Sequence, residues 1–175
     1  PCRSRGLGDV YKRQDKSMTY SSAIFSKPTD NLEIAQTNKY KKLAQLVSVK
    51  NGDNILEIGC GWGGFSEFLG REYDCKITAI TISKEQYNFA KKRIKKENLE
   101  NKIDIRFCDY RNIDGKFDKV LSIEMFEAVG KEYWNKFFSK IRTILNPDGY
   151  VGLQLITIDD KIYEVYKNCL LYTSD

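Results

Sequence analysis

The chain contains no histidine, although it has 175 residues, of which 13% are aromatic. Histidine has the ordinary side-chain pKa closest to neutral pH, and it is the commonest general base in enzymes. Any proton transfer by this chain must therefore use a carboxylate, a tyrosine, a cysteine, a lysine or a bound anion. The five cysteines form no CxxC pair, so the sequence predicts no metal site.

Long apolar runs are also missing, and a membrane-spanning helix needs roughly 20 consecutive apolar residues. Only three prolines and no long polar tract argue against a disordered chain. The net charge of +5 permits an anionic partner without requiring one. Cysteines without an obvious pairing pattern fit a reducing compartment, and we predict a cytoplasmic location.

The two ends of the chain differ from its middle. Residues 1–14 show no periodicity, and residues 169–175 follow what reads as an unfinished helix. We interpret these ends as a non-native leader and a non-native tail. They would flank one domain at 15–168 that is itself truncated at its C-terminal end. Ordinary frayed termini are the alternative interpretation.

Between the ends, short apolar strands alternate with helical patterns. Strands are predicted at 54–58, 76–82, 103–107, 117–123 and 150–158. A helix is predicted from the start signal at Asp30 to about Val47. Further helices are predicted at 64–72, 84–98, 131–145 and from 160 onward, with a turn at 146–149. The alternation predicts an α/β fold with a doubly wound, mostly parallel sheet and a pocket at its carboxyl edge.

Two side-chain runs on the predicted helices have consequences for packing and partners. Trp134, Phe137 and Phe138 lie at helical spacing, and we predict that they belong to the core. The lysine-rich run at 91–96 is interpreted as the solvated face of a helix, with contact to an anionic membrane surface as the alternative.

The segment at 54–64, NILEIGCGWGG, is the strongest functional signal. Its glycines allow a sharp turn and close approach of a ligand, because they have no Cβ. A dinucleotide site would need an acid at the end of the second strand, but that strand ends in Ile80-Thr81-Ile82. A glutamate two residues before the first glycine is instead typical of S-adenosylmethionine-dependent methyltransferases. We therefore predict that Glu57 binds this cofactor, with a turn-stabilising role as the alternative.

The chain resembles the cyclopropane-fatty-acyl-phospholipid synthases and mycolic acid cyclopropane synthases over about residues 15–168. The shared segments are YSS at 20–22, EIGCGWGG at 57–64, TAITISKEQ at 78–86, DYR at 109–111 and MFEAVG at 125–130. The resemblance implies the Rossmann-like fold of class I methyltransferases. It also implies methyl transfer from S-adenosylmethionine to the double bond of an unsaturated phospholipid acyl chain, which gives a cyclopropane or a methylated chain.

The resemblance further implies roles for individual residues. Tyr20 and Ser21 would close on the cofactor, and Glu124 would lie near the methyl donor. The other implied cofactor contacts are Glu57, Gly59, Cys60, Gly61, Gly63, Thr81, Ile82, Gln86, Asp109 and Tyr110. The implied catalytic group, which would hold a proton-accepting bicarbonate, is Glu127, Ser22, Gln154 and Ile156. A structural salt bridge is the alternative for Glu127.

Three positions depart from the family pattern. Ser22 stands where the family commonly has cysteine, and Ala128 and Gln154 stand where it has histidine. Serine and glutamine can still donate hydrogen bonds to an anion. The departures therefore concern ring closure more than methyl transfer.

Other acceptors and other classes of protein give alternative hypotheses. The segment after the fourth strand lacks the Asn/Asp-Pro-Pro-Tyr motif of nucleic-acid amino methylases, so no nucleic-acid partner is predicted. A methyltransferase for a small molecule or a protein, and a cofactor-binding module without turnover, are the alternatives. For a phospholipid substrate we predict peripheral contact with the inner membrane surface, without a transmembrane segment.

Overall fold

The computed structural model describes residues 15–159 and Lys161. The predicted leader at 1–14, the tail at 169–175 and nearly all of the helix predicted from 160 lie outside the described residues. In the described part of the chain, no helix is both long and apolar enough to cross a membrane.

Within residues 15–159, five parallel strands form a single sheet. The strands are β1 (Asn54–Ile58), β2 (Lys76–Thr81), β3 (Ile103–Phe107), β4 (Phe117–Ile123) and β5 (Leu145–Gln154). Their order across the sheet is β3-β2-β1-β4-β5, and every neighbouring pair is parallel. The order reverses between β1 and β4, and α/β sheets bind ligands at the carboxyl ends of strands at such a switch point.

The helices of the described residues cover both faces of this sheet. They are α1 (Leu32–Leu46), α2 (Gly64–Glu72), α3 (Lys84–Lys96) and α4 (Trp134–Ile144). On one face, Ile55 of β1 packs in a cluster with residues of α1, α2 and α3. On the other face, the next residue, Leu56, packs in a cluster with Phe137 of α4. Successive strand residues point to opposite faces, and both faces are covered, so the predicted doubly wound sheet is confirmed.

The last strand differs from its predicted limits of 150–158. Leu145 already pairs with Phe117, and Tyr150 pairs with Lys119, so β5 begins five residues earlier than predicted. The segment 146–149 bulges out between these two pairs. The turn signal in this segment therefore marks an irregularity inside the strand and not a boundary before it.

The aromatic residues of α4 only partly follow the core prediction. Phe137 is fully buried, but Trp134 and Phe138 are 42% and 47% exposed. The prediction is therefore right for Phe137 and wrong for the other two. Their rings cover Phe126 from the outside, and the Trp134 indole N–H donates to the carbonyl of Val129 at 2.9 Å. Helical spacing places the three on one side of α4, but only the centre of that side faces the sheet.

Helix α1 starts from a different cap than the signal at Asp30 indicated. The N-cap is Asn31, whose Oδ1 accepts the Ile34 N–H at 2.9 Å. Asp30 instead accepts backbone N–H groups from Ser26 and Lys27 in the preceding turn. Asp30 and Asn31 can both accept hydrogen bonds from backbone N–H groups. Asp30 is used in the preceding turn, so Asn31 caps the helix.

This cap gives a measurable prediction. Replacing Asn31 with alanine leaves a helix N–H group unpaired and should lower the free energy of unfolding by about 1 kcal/mol. Asn31→Asp keeps a cap acceptor and should stay within about 0.5 kcal/mol of the parent. Urea unfolding of both variants measures the difference, and equal losses would show that the cap hydrogen bond does not matter.

The lysine-rich run on α3 is the solvated face that the sequence predicted. Lys91, Lys92, Lys95 and Lys96 are exposed. Arg93 is the exception, because its guanidinium donates to the carbonyls of Ser17 at 2.6 Å and Lys16 at 2.8 Å. Arg93 therefore ties the segment before α1 to the helical face of the sheet.

Candidate functional site

A cleft of about 790 Å³ lies at the carboxyl ends of β1, β2 and β4. It brings together a large group of the predicted site residues: Tyr20, Gly59, Gly61, Thr81, Ile82, Gln86, Asp109, Tyr110, Glu124 and Glu127. A small pocket of about 40 Å³ adjoins it and is lined in part by Ser21, Glu57 and Cys60. Tyr20, Gly59 and Gly61 line both spaces, so the two form one continuous candidate site.

The glycine turn after β1 forms the floor of the cleft. Gly59 and Gly61 have φ values of +80° and +52°, which glycine adopts without steric cost. A Cβ on Gly59 would lie 2.6 Å from the Cγ of Met125. The turn is held in place because the N–H groups of Gly59 and Cys60 both donate to the carbonyl of Ile80, at 3.0 and 2.9 Å.

Two other members of the turn, Gly63 and Cys60, have different surroundings from Gly59 and Gly61. Gly63 lies outside both spaces, and a Cβ there would come within 3.0 Å of Ala90 on α3. Its requirement for glycine therefore comes both from this close packing and from its left-handed φ of +82°. Cys60 is buried, and burial raises the pKa of its thiol above the ordinary value. Cys60 is therefore a packing residue and not a nucleophile, as predicted.

Glu57 is almost completely buried beneath the turn, with 2% of its surface exposed. The hydroxyl of Ser66 donates to its Oε2. Burial raises the pKa of Glu57 to about 7, against the opposing effects of the hydrogen bonds from Ser66 and the charge of Lys39. A carboxylate that is held near its titration point can meet a ligand as an anion or as a neutral acid. Its predicted contact with the cofactor stays a prediction.

Lys39 is a residue of the site that the sequence interpretation missed. It is 1% exposed, and its Nζ donates to the Oγ of Ser21 at 2.6 Å. Burial lowers the pKa of Lys39 to about 8, although Glu124, Asp15 and Glu57 oppose the shift. Its position four residues before the buried Leu43 places it on the apolar side of α1, which is the signal that could have identified it.

Gln86 connects the α3 end of the cleft to the segment that carries Tyr20. Its Nε2 donates to the Tyr20 hydroxyl at 3.2 Å, and its Oε1 accepts from the Oγ1 of Thr81 at 2.9 Å. Ser83 caps α3 by accepting the Gln86 N–H at 3.3 Å. The Ser83–Gln86 spacing also predicts that the Gln86 side chain would cap the helix in return, but this side chain instead contacts Thr81 and Tyr20 in the candidate site. Ile82, next to it, is 74% exposed and gives the cleft an apolar wall.

The segment after β3 supplies Asp109 and Tyr110, which the resemblance implies as contacts of the cofactor's adenine. The Asp109 carboxylate accepts from the Nε and Nη2 of Arg111 at 2.9 and 2.6 Å. These hydrogen bonds from Arg111 lower the pKa of Asp109. Tyr110 lines the cleft and also packs edge-on against Phe137, with 5.1 Å between ring centroids. Tyr110 thus links the cleft to the core, and Asp109 is already paired with a cation.

Glu124 follows β4 directly and has a left-handed φ of +45°. Its Oε1 accepts the Ser22 N–H at 2.9 Å, the Ser22 hydroxyl and the Gln154 Nε2 at 2.8 Å. Burial alone would raise the pKa of Glu124, but the hydrogen bonds from Ser22 and Gln154 bring it below the ordinary value. The structure therefore joins three segments that are far apart in sequence around one carboxylate.

The implied catalytic group is divided between two carboxylates. Ser22 and Gln154 contact Glu124, while the Ile156 N–H donates to the Oε1 of Glu127 at 2.6 Å. The donors expected to hold a bicarbonate thus already bind carboxylates of the chain, and these would repel a second anion. The donor set does not fit a bound bicarbonate in this structure, and the bicarbonate stays a prediction of the resemblance.

Comparison with known proteins places this architecture in a family. The family model described as mycolic acid cyclopropane synthetase matches residues 8–170. A cyclopropane-fatty-acyl-phospholipid synthase of Escherichia coli is 37% identical over 149 residues, which are 85% of this chain and 38% of that protein. A tuberculostearic acid methyltransferase of Mycobacterium tuberculosis is 36% identical over 151 residues, which are 82% of this chain and 35% of that protein.

Solved structures agree with the sequence relatives. The cyclopropane synthase MmaA2 from Mycobacterium tuberculosis matches with a TM-score of 0.83 and 28% identity, over 91% of this chain and 57% of that one. A mycolic acid cyclopropane synthase complexed with SAH also has a TM-score of 0.83, over 94% of this chain and 58% of that one. The chain spans little more than a third of the length of the two curated relatives, at 38% and 35%. Because the family model matches residues 8–170, which is nearly all of this chain, the chain belongs to the mycolic acid cyclopropane synthetase family.

Proposed function

We propose that the full-length protein transfers a methyl group from S-adenosylmethionine to the double bond of an unsaturated phospholipid acyl chain. The observation that carries this proposal is the left-handed glycine turn at the switch point of the sheet, which opens onto the cleft. Two relatives support the chemistry, because one is named a cyclopropane-fatty-acyl-phospholipid synthase and the other a tuberculostearic acid methyltransferase. The product, a cyclopropane or a methylated chain, follows from steps after methyl transfer.

The residues of the cleft fit the cofactor. Gly59 and Gly61 leave the floor free of side chains, as a closely approaching ligand requires. Gln86 and Tyr20 offer hydrogen-bonding groups on one side, and the exposed Ile82 offers an apolar surface. When bound, S-adenosylmethionine supplies a methyl group that is already activated by a positively charged sulfur. A solved structure supports this choice of cofactor, because that mycolic acid cyclopropane synthase is complexed with SAH.

The acceptor explains why the cleft needs little acid–base machinery before methyl transfer. A carbon–carbon double bond has no proton to remove, so the chain must bring the two reactants together and exclude water. Met125 and Val129 from the segment after β4 provide apolar lining on the side of the cleft that faces Glu124 and Glu127. This arrangement suits an apolar acceptor better than a polar one.

The proposal includes a cytoplasmic enzyme that contacts the inner membrane surface peripherally. Its substrate is held in a bilayer, so the enzyme must reach the lipid surface. The exposed lysines at 91, 92, 95 and 96 lie on one helix, and anionic lipid headgroups attract such clusters with about 1 kcal/mol per residue.

The proposed reaction can be tested in cells that express the full-length reading frame. These cells are fed methionine with a deuterated methyl group. Mass spectrometry should find phospholipid acyl chains that carry the labelled carbon. Calorimetry should show that the 175-residue chain binds S-adenosylmethionine. Binding without labelled lipid would favour a cofactor-binding module, and label in another compound would favour a different acceptor. Failure to bind would contradict the proposal as a whole.

Glu127 provides a prediction within this experiment. Replacing it with glutamine weakens the charge-assisted hydrogen bond that Glu127 accepts from the Ile156 N–H. Because the resemblance places both residues in the catalytic group, we expect product formation to fall by about tenfold. The affinity for S-adenosylmethionine should remain within about threefold, because the glycine turn is untouched. Lipid analysis and calorimetry on the same variant separate the two effects. Unchanged product formation would remove Glu127 from the catalytic group.

A further inference from the structure

The backbone of Glu124 is strained where it lines the cleft. A φ of +45° costs a residue with a Cβ roughly 1–2 kcal/mol. Such conformations persist only where surrounding contacts enforce them, and they concentrate at functional sites. Here the strained residue follows β4 directly, beside the switch point of the sheet. Its position and its contacts therefore call for a functional explanation.

The two oxygens of the Glu124 carboxylate have different surroundings. Oε1 accepts hydrogen bonds from the Ser22 N–H, the Ser22 hydroxyl and the Gln154 Nε2. Oε2 accepts no hydrogen bond from any residue that the structure describes, and Glu124 lines the cleft. One oxygen therefore fixes the group in place, while the other is available as a proton acceptor.

The surroundings keep this carboxylate ionised at neutral pH. The hydrogen bonds from Ser22 and Gln154 outweigh burial and lower the pKa of Glu124, with help from the charge of the buried Lys39. A low pKa does not prevent the group from accepting a proton from a carbon next to a carbocation, because such a proton is strongly acidic. For this task the position of the base and its permanent charge matter more than its strength.

We propose that Glu124 is the base that completes the reaction; this role rests on the proposed methyl transfer. The electron pair of the double bond forms the new carbon–carbon bond while the donor's carbon–sulfur bond breaks, which leaves a carbocation on the acyl chain. A neighbouring C–H bond then breaks, and its electron pair closes a ring or forms a new double bond. The proton passes to Oε2 of Glu124 and from there to water.

This assignment also accounts for the poor fit of a bicarbonate. Ser22 and Gln154 direct their donors to a carboxylate that is part of the chain, so no anion has to be bound from solution. Glu127 is less suited to the role, because it is exposed and one of its oxygens already accepts the Ile156 N–H. The chain therefore carries its own base in the cleft.

The test uses the full-length protein, vesicles of an unsaturated phospholipid and S-adenosylmethionine. Glu124→Gln keeps the shape of the side chain but removes its basicity, and it should slow the formation of modified lipid by about 100-fold or more. Calorimetry should show S-adenosylmethionine affinity within about threefold of the parent. Glu72→Gln is the matched control, because it removes an exposed carboxylate that lies outside the cleft, and it should leave the rate unchanged. A rate for Glu124→Gln close to that of the parent would overturn the proposal.

A second variant separates the chemical role from a structural one. Glu124→Gly removes the carboxylate and relieves the left-handed strain, so it should fold at least as stably as the parent. Added formate or bicarbonate should restore its rate by about tenfold or more, since a small anion can use the donors of Ser22 and Gln154. The parent should keep its rate in buffer depleted of carbon dioxide.

The outcomes distinguish this proposal from the function on which it rests. No response of Glu124→Gly to added anions, or a parent that depends on bicarbonate, would overturn the role of Glu124 while leaving methyl transfer intact. A parent protein that modifies no lipid would contradict the proposed function, and the role of Glu124 with it.

Discussion

Gly59→Ala is expected to weaken S-adenosylmethionine binding by at least about tenfold and to lower the free energy of unfolding by about 2–4 kcal/mol. Two effects add at this position. The φ of +80° is strained for any residue with a Cβ, and the new methyl group would lie 2.6 Å from the Cγ of Met125. Met125 must then move, and its side chain also lines the cleft. Calorimetry with S-adenosylmethionine and urea unfolding measure the two effects.

Gly52→Ala is the matched control for this prediction. Gly52 has nearly the same backbone conformation, with a φ of +88°, but nothing lies within 4 Å of the position that its Cβ would take. It should therefore lose only the roughly 1–2 kcal/mol of backbone strain and keep its affinity for the cofactor. If the two variants lost affinity equally, the effect at Gly59 would come from general destabilisation and not from the shape of the cleft.

The elements that the sequence predicted best are those that local pattern determines. The limits of β1, β3 and β4 agree with the structure. β1 is a short buried run bounded by turn residues, whereas β3 at the edge of the sheet alternates buried and exposed residues before it ends. The glycine turn was equally visible, since each of its conformational requirements is met by one residue type. These features involve neighbours in sequence, so one sequence is enough to identify them.

The elements that the sequence did not predict depend on contacts over long distances along the chain. The start of β5 is set by pairing with β4 and not by the turn signal at 146–149. Trp134 and Phe138 have the same helical spacing as core residues, but among the described residues only Phe137 of the three is buried in the core. Apolar spacing identifies the side of a helix, whereas burial depends on what packs against it.

The candidate site shows the same division between local and distant information. Glu57 and Gly59 were identified from one segment, but the surroundings of Glu124 come from Ser22 and Gln154. Nothing in the segment around Glu124 indicates that these two side chains would meet one of its oxygens. The resemblance named the same residues and implied a different arrangement, with an anion between them. In the structure, Ser22 and Gln154 both contact the carboxylate of Glu124.

Between pH 4.5 and pH 7, the stability of the ligand-free chain is expected to fall as the pH rises, and Glu57 is the cause. Its pKa rises from 4.5 in the unfolded chain to about 7 in the folded one. In this window the folded state holds a proton that the unfolded state has lost, so stability falls by up to about 1.4 kcal/mol per pH unit. The total is on the order of 3 kcal/mol.

Glu57→Gln should remove this slope, because glutamine does not titrate and its amide oxygen can still accept from Ser66. The difference between the two proteins isolates Glu57, since other groups titrate alike in both. Lys39, with its pKa lowered to about 8, adds stability only as the pH rises above that value. Glu124 and Asp109 have lowered pKa values, so they lose their contribution below the window. Urea unfolding at several pH values measures the difference, and parallel curves would show that Glu57 does not titrate here.

The pH dependence of cofactor binding is a second, independent measurement of the protonation of Glu57. If the ammonium group of S-adenosylmethionine meets ionised Glu57, binding below pH 7 must release the proton that burial holds there. The affinity should then rise by up to about tenfold per pH unit between pH 5 and pH 7, and Glu57→Gln should abolish this dependence. Staying below pH 7 keeps the cofactor's amino group protonated. If the affinity of both proteins depended on pH equally, Glu57 would not contact the cofactor. It would then serve only to stabilise the glycine turn.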